Sequence, residues 1–397
     1  MPSKRSFDPS VKADPATGLY DTKTLAEGLG VAPSTVRTLQ GRGQVPTPTS
    51  TIGGRSVWSQ EDIFAFYNIS DGEHNGNSPN LIPVNPNLPK VVDLFSGCGG
   101  LSLGFQTAGF EVLSGYDNWL CAVDTYRANM GHDAHLLDLG DVGLSIKTLE
   151  EHLSGREPMP AIIGGPPCQD FSSAGKRQEG ARADLTEKYA QIVAHFNPPF
   201  FVMENVARAQ HAAAFESALS IMEAAGYTIR YQVIDSSRVG VPQIRKRLIT
   251  FGSKSQEFAN CVADALLENQ SDQQMTIRQY FEEVLDHPLD VDYYYRHPRS
   301  YARRGIFSID EPSPTIRGVN RPIPSGYPGH RGDAGPIEAA RPLTTEERAL
   351  IQTFPESFTW VGSRTNIEQM IGNAVPVELG TYIATQIAKS LQSVAAL

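Results

Sequence analysis

The chain is poor in cysteine. Its 397 residues hold four, Cys98, Cys121, Cys168 and Cys261, far apart and with no C-x-x-C pair. That spacing excludes a disulfide scaffold and a structural zinc site. Each thiol is then core filler or a reactive group, and a reducing cytoplasm is the expected location. No run approaches eighteen apolar residues, which excludes a transmembrane helix. The polar start, MPSKRSFDPSVKADPATG, lacks the apolar segment of a secretory leader. Positive charge is in deficit, with 34 Lys+Arg against 44 Asp+Glu and a net charge of −10. This rules out a protein that coats nucleic acid by bulk charge, though not one with a local basic cleft. Neither G-x-G-x-x-G nor a Gly-Lys-Ser/Thr phosphate loop is present where a glycine-rich turn occurs.

What is present falls into segments. From Tyr20 to Tyr67, TKTLAEGLGVAPSTVRTLQGRG reads as two short helices and a turn. Leu25, Ala26 and Leu29 form one apolar face, Gly30 ends the first helix, and Ser34 is expected to cap the second, with Val36 and Leu39 turned inward. STIGGRSVW reads as a hairpin around Gly53-Gly54, and Ser59 is placed to cap a further helix. Helix–turn–helix plus hairpin outlines a small winged DNA-binding module over 1–69; a generic helical module is the alternative. Residues 70–89, rich in Asn, Pro, Gly and Ser, read as a linker. Beyond it, buried strands (Val91 to Leu94, FEVLSGYD, HLLDL, AIIGG, FFVMEN, TIRYQVID, RLITFG) alternate with helices, which predicts a mostly parallel sheet covered on both faces. Residues 254–340 break this rhythm. After them Thr344 and Glu347 form a capping box, and an amphipathic helix follows Gly372-Asn373-Ala-Val-Pro.

Four constellations carry chemistry. Asp93-Leu-Phe-Ser-Gly-Cys-Gly-Gly puts glycines directly after a buried strand, where backbone can approach a ligand, or make a tight packing turn. Asp117 and Asp138 follow the next two strands and suit a nucleoside cofactor without a phosphate cradle. Gly164-Gly-Pro-Pro-Cys168 holds a thiol on a stiff turn at a strand end, a position for a nucleophile rather than for inert packing. Glu204 ends an apolar strand, where a carboxylate must be paired or functional, or else belongs to a helix cap. Gln243, Arg245 and Arg247 alternate on one strand face, suited to an anion or to a solvated charged edge.

Together and in this order, these motifs closely resemble the cytosine-5 DNA methyltransferase family over about residues 90–252 and 341–395. The resemblance implies that Cys168 adds to C6 of a flipped-out cytosine, that Glu204 contacts N3 and the exocyclic amine, and that Arg247, with Arg245 beside it, holds base and nucleophile. It implies an S-adenosylmethionine site formed by Phe95, Gly97 and Gly100, with Asp117 on the ribose, Asp138 and neighbouring Leu139 at the adenine, and Pro167 and Asn373 as walls. The family commonly has an aromatic after the ribose acid; here Asn118 comes first and Trp119 second. Ser172 to Leu185, with Gly175, Lys176, Arg177, Gly180 and Arg182, resembles the loop that closes on DNA. No metal is implied.

The implied architecture is α/β, a Rossmann-like methyltransferase sheet (90–253, completed by 341–397), a small target-recognition region (254–340) and the winged helix-turn-helix-like module. Tyr293–Arg331 holds seven arginines (Arg296, Arg299, Arg303, Arg304, Arg317, Arg321, Arg331) against Asp310 and Glu311, interleaved with Tyr293, Tyr294, Tyr295, Tyr301 and Tyr327. That mixture predicts contact with double-stranded DNA, with a solvated Arg/Tyr-rich loop as the alternative. The module, through Arg37, Arg42 and Arg55 within residues 20–67, is expected to bind the gene's own promoter or, alternatively, to add affinity through a second DNA site. Bacterial restriction–modification is the expected setting. A tRNA cytosine methyltransferase and a regulator with an inactive fold are the competing readings.

Overall fold

A computed structural model of the protein describes residues 11, 19–41, 45, 46, 48, 50–52, 55–59, 63, 83–167, 185–298, 300, 302–324 and 326–395. The chain divides into two compact units, Met1–Gly76 and Asn77–Leu397.

In the first unit, strand β1 (Leu19–Asp21) leads into helix α1 (Thr22–Gly28), capped by the Asp21 carboxylate, which accepts from the backbone N–H groups of Lys23 and Thr24. Gly30, at φ +62°, ends that helix as expected, and the Val31 N–H returns to the Ala26 carbonyl. Helix α2 (Pro33–Gly41) starts one residue before the expected cap. Ser34 therefore lies inside the first turn, because Pro33 is suited to the first helical position, where no N–H is needed. β2 (Ser50–Ile52) and β3 (Arg55–Ser59) pair antiparallel, and β1 adds to β3, giving the order β1-β3-β2. Tyr20, Leu25, Ala26, Leu29, Val36, Leu39, Trp58 and Ile63 share one core. Ser59 ends β3; the helix expected after it, like the Gly53-Gly54 turn, lies largely outside the described residues.

The second unit is built on β4 (Val91–Leu94), β5 (Val112–Asp117), β6 (Asp133–Leu136), β7 (Ala161–Gly164), β8 (Phe200–Val206), β9 (Thr228–Asp235) and β11 (Lys246–Ser253), in the order β6-β5-β4-β7-β8-β11-β9. Strands β4 to β8 pair in parallel; β11 runs antiparallel to both β8 and β9. Successive residues feed opposite faces. Val91, Ile163, Val202 and Phe251 pack in one cluster, Val92, Ile162, Met203 and Leu248 in the other. Each fully buried Val, Ile or Phe contributes about 1.5–3 kcal/mol.

Helices α3 (Gly100–Thr107), α4 (Leu120–Asn129), α5 (Val142–Leu153), α6 (Leu185–Phe196), α7 (Ala213–Ala224) and α8 (Gln256–Glu268) come next in chain order. Among the last ones, α9 (Thr345–Ile351) has the expected Thr344/Glu347 capping box, α10 (Arg364–Asn373) comes after it, and α11 (Val377–Ala395) lies on α3. There a Cβ on Gly104 would come within 2.5 Å of the Thr381 backbone nitrogen, so the two helices meet backbone to backbone.

The stretch 254–340 is not one unit. Helix α8 packs Phe258, Ala259, Val262 and Leu266 into the core of the large sheet. Only the residues beyond that helix contribute to a separate small sheet, with β12 (Tyr293–Tyr295) between β13 (Ile306–Ser308) and β15 (Ala340–Pro342). No helix among the described residues is long and apolar enough to cross a membrane.

Candidate active site

The turn after β4 is left-handed three times over, with Phe95 at φ +59°, Gly97 at +53° and Gly99 at +94°. Phe95 has a Cβ and adopts this conformation only because its surroundings impose it. The Gly97 N–H donates to Asp117 Oδ2 at 2.9 Å, and the Trp119 N–H donates to Oδ1 at 2.9 Å. Asp117 thus ties the end of β5 to the glycine turn. Burial raises its pKa, and those N–H donors oppose the rise. Asn118 is exposed, whereas Trp119 is half-buried and packs with Cys98, Leu103, Phe354 and Val377. Asp138 is exposed and accepts the Gly140 N–H, while neighbouring Leu139 is core. Gly100 faces the Val375 carbonyl, which a Cβ would meet at 2.1 Å, so the Gly372–Pro376 turn borders the glycine turn. Asn373 is exposed there and accepts from Gln369 at 2.9 Å.

Glu204 and Arg247 are diagonal neighbours on β8 and β11, since Ile249 is the register partner of Glu204. Their side chains meet at 2.7 Å (Arg247 Nε to Glu204 Oε1) and are 12% exposed for the arginine and 11% for the glutamate. Burial lowers the Arg247 pKa, and the Glu204 carboxylate opposes that shift. The second carboxylate oxygen faces the exit of β7, where a Cβ on Gly165 would lie 3.2 Å from Oε2. Asn205, on the opposite face, donates to the Pro166 carbonyl at 3.1 Å and so fixes the start of the Pro166-Pro167 turn. Pro167 is exposed. The paired acid and cation therefore stand beside the strand end that leads into Cys168. Cys168 itself and the loop expected to close, up to Asp184, lie outside the described residues. Cys98, the other cysteine near this edge, is buried; burial pushes its thiol up to about 12, which makes it inert.

Gln243, Arg245 and Arg247 do not share one continuous strand. The chain changes sheets between Gln243 and Lys246, because β10 (Gln243–Ile244) pairs with β14 (Ser313–Pro314) rather than within the large sheet. Gln243 accepts the Ile316 N–H at 2.8 Å and donates to Gln352 Oε1 at 2.7 Å. Arg245, 2% exposed, donates to the carbonyls of Ile316, Gly372 and Ala374. Burial pushes its pKa down. Of the two arginines, Arg247 meets Glu204, while Arg245 fastens the Asn373 turn and residue 316 to the sheet edge.

A profile of the family described as C-5 cytosine-specific DNA methylase matches residues 89–389. The chain belongs to the C-5 cytosine-specific DNA methylases. It is 50% identical over 299 residues to the Type II methyltransferase M.HgiDI of Herpetosiphon aurantiacus, covering 75% of this chain and 94% of that one. It is 47% identical over 301 residues to the Type II methyltransferase M.HindV of Haemophilus influenzae, covering 75% and 96%. The fold is shared with the S. pombe Dnmt2 methyltransferase, at a TM-score of 0.54 and 17% identity over 76% of this chain and 99% of that one.

In this methylase the arginine- and tyrosine-rich insert differs from its sequence expectation. Tyr294, Tyr295 and Tyr327 are core residues, 1%, 2% and 9% exposed, and do not interleave with arginines on a surface. Short strands supply few apolar side chains, so aromatic rings fill that small core. Arg304 pairs with Glu311 through two contacts and lies over the Phe307 ring, and Arg296 donates to the Thr315 carbonyl. Arg303, Arg321 and Arg331 are exposed. Arg299 and Tyr301 lie outside the described residues. Sequence reasoning missed the buried Arg348–Glu368 pair, whose arginine also holds the Arg317 carbonyl, and missed Gln352. Their one signal is polarity at core-facing helix positions.

Proposed function

We propose that this methylase transfers a methyl group from S-adenosylmethionine to C5 of a flipped cytosine within a specific duplex sequence, as the modification half of a bacterial restriction–modification system in the cytoplasm. The observation that carries the reading is the buried Glu204–Arg247 pair turned toward the strand end that leads into Pro166-Pro167-Cys168.

The cofactor fits the residues present. A Cβ on Gly97 would meet nothing within 4 Å, so the turn borders open space. Asp117 and exposed Asp138 stand at the ends of the adjoining strands, with no phosphate cradle, as a nucleoside carrying a cationic sulfonium requires. Phe95, Gly97, Gly100, Asp117, Asn118, Asp138, Leu139, Pro167 and Asn373 would surround it; when bound, it supplies an electrophilic methyl group.

C5 of cytosine is too weak a nucleophile on its own. Addition of the Cys168 thiolate to C6 makes C5 enamine-like. Glu204, hydrogen-bonded at N3 and the exocyclic amine, stabilises the charge that builds on the ring, and Arg247 holds Glu204 in place. Once C5 is methylated, a base takes the C5 proton, the C6–S bond breaks, and the thiolate is released. Because attack is out of the ring plane, the nucleotide must leave the stack. Relatives at half identity named as Type II methyltransferases support the restriction–modification setting over a tRNA substrate or an inactive regulator. Bisulfite sequencing of plasmid from expressing cells tests the reading: protected cytosines in one recurring sequence are expected, and none protected in cells making folded protein would overturn it.

The two helices and three-stranded sheet of the first unit support a winged DNA-binding role for residues 20–67; the gene's own promoter is the target we propose for it. The full chain should shift upstream DNA more tightly, and with a steeper salt dependence, than a chain starting at Leu88. Equal binding by both would make the module a protein-interaction element.

A further inference from the structure

The left-handed turn after β4 rests on Tyr126. A Cβ on Gly99 would lie 2.9 Å from the Tyr126 ring, and one on Gly115 2.7 Å from it, so one ring is the floor of both the glycine turn and β5. The hydroxyl of that ring is in a buried chain of hydrogen bonds. Ser102 Oγ meets Asp93 Oδ2 at 2.7 Å, Tyr126 Oη meets Ser102 Oγ at 2.8 Å and His132 Nε2 at 2.6 Å, and Gln106 Nε2 meets His132 Nδ1 at 3.1 Å. Asp93, Ser102 and Tyr126 are each 0% exposed.

The donors can be assigned by counting hydrogens. Burial raises the Asp93 pKa to about 7, and the Ser102 hydrogen bond opposes that rise; in its ionised form Asp93 only accepts, so the single Ser102 hydrogen goes to it. Ser102 then accepts from Tyr126, which spends the phenol hydrogen. In that form the contact at His132 is donated by Nε2–H, leaving Nδ1 of a neutral ring to accept from the Gln106 amide. Burial lowers the His132 pKa to about 4, in keeping with a neutral ring. The five residues thus form one directed relay, from Gln106 on α3 through α4 and the Met130–Asp133 turn back to Asp93 at the base of the glycine turn.

We propose that Tyr126, through its hydroxyl, and His132, through Nε2, are positioning residues of the cofactor turn: the relay fixes the ring on which Gly99 lies. The proposal rests on the reading of that turn as the S-adenosylmethionine site. It gives Tyr126 and His132 no contact with substrate.

Calorimetry of S-adenosylmethionine binding to the full-length protein, with turnover on a target duplex, tests it. Tyr126→Phe keeps the ring and its packing but cuts the relay. Cofactor affinity should fall about tenfold, the scale of one buried hydrogen bond, with a matching rise in cofactor KM. The kcat at saturating cofactor and the DNA KM should stay within about twofold. The pair at 132 separates positioning from general loosening. His132→Gln places an amide N–H near the Nε2 position and should keep most of the affinity, whereas His132→Asn reaches only the Nδ1 position and should behave like Tyr126→Phe. Unchanged affinity in Tyr126→Phe, a fall in kcat with no change in cofactor KM, or equal losses in the two His132 variants would overturn the proposal. If Tyr126→Phe does not fold, the His132 pair decides alone. A wild-type chain that binds no S-adenosylmethionine overturns the site reading and the proposal with it; wild-type binding with an unaffected Tyr126→Phe overturns the proposal only.

Discussion

The edge of the seven-stranded sheet and the insert beyond it are both rich in arginine, and they use it differently. At the edge, Arg247 meets a buried carboxylate whose other oxygen faces the strand end before Cys168. In the insert, Arg304 is spent on Glu311 and Phe307 and Arg296 on a carbonyl, and Arg341, just beyond it on β15, on Glu347 and Asp290. Arg245 stands between the two regions and serves the second purpose although its sequence neighbourhood suggests the first. A guanidinium with five donors is well suited to both tasks. Which one it performs depends on whether a carboxylate at a strand end or a backbone carbonyl lies within reach. The insert, short of apolar residues, needs arginine and tyrosine for its own cohesion, so few of its cations remain for a partner.

The comparison is broken most severely at the nucleophile. DNA carrying 5-fluorocytosine at the target should trap a covalent adduct, because fluorine cannot leave as the proton does. Cys168→Ser should abolish both adduct and turnover; an adduct that persists or maps to Cys98 would contradict the assignment. Next in size is the buried pair. Glu204→Ala strands the Arg247 charge and should cost roughly 3–5 kcal/mol of stability as well as activity. Glu204→Gln should keep much of the stability and still lose at least about a hundredfold in kcat. Denaturant melts beside initial rates separate the two, and a Glu204→Gln enzyme of wild-type rate would remove Glu204 from the chemistry.

Arg245→Met sharpens the contrast between the two arginines. Loss of three carbonyl contacts should lower stability by about 2–4 kcal/mol, read as a shifted denaturant midpoint. At a temperature where the variant remains folded, its activity should exceed that of Arg247→Met. The smallest effects belong to the exposed insert cations. Arg303→Ala, Arg321→Ala and Arg331→Ala should each weaken duplex binding alike for target and non-target sequences, reducing the salt slope by about one unit apiece. Tyr294→Phe should leave that slope unchanged, since its ring is in the core.

The sheet and the acid were legible in the sequence because both arise from local pattern. Continuous apolar runs such as Phe200–Met203 mark strands covered on both faces, and Glu204 stands out by ending one of them. Thr344 and Glu347 are legible for the same reason, three residues apart in a motif with one geometry. Arg245 was not, because the Gly372 and Ala374 carbonyls it holds are 127 and 129 residues away in the chain. The tyrosines of the insert were misread because interleaving with arginine in sequence says nothing about which face of a three-residue strand is covered. Tyr126 and His132 gave no signal at all, since each is an ordinary residue until the turn brings the ring nitrogen to the phenol.

The backbone contact between α3 and α11 has a consequence for synthesis. Leu101 and Phe105 share their cluster with Leu379, Ile383 and Ile387, so one face of the sheet, though partly covered by α3 and α8, stays incompletely sealed until residues made nearly three hundred positions later arrive. At about 5–20 residues per second, that interval is on the order of tens of seconds. A ribosome-bound chain holding the glycine turn, the Pro-Pro-Cys turn and Glu204 therefore waits unsealed and inactive, and modification activity should appear abruptly, only after α11 has left the exit tunnel.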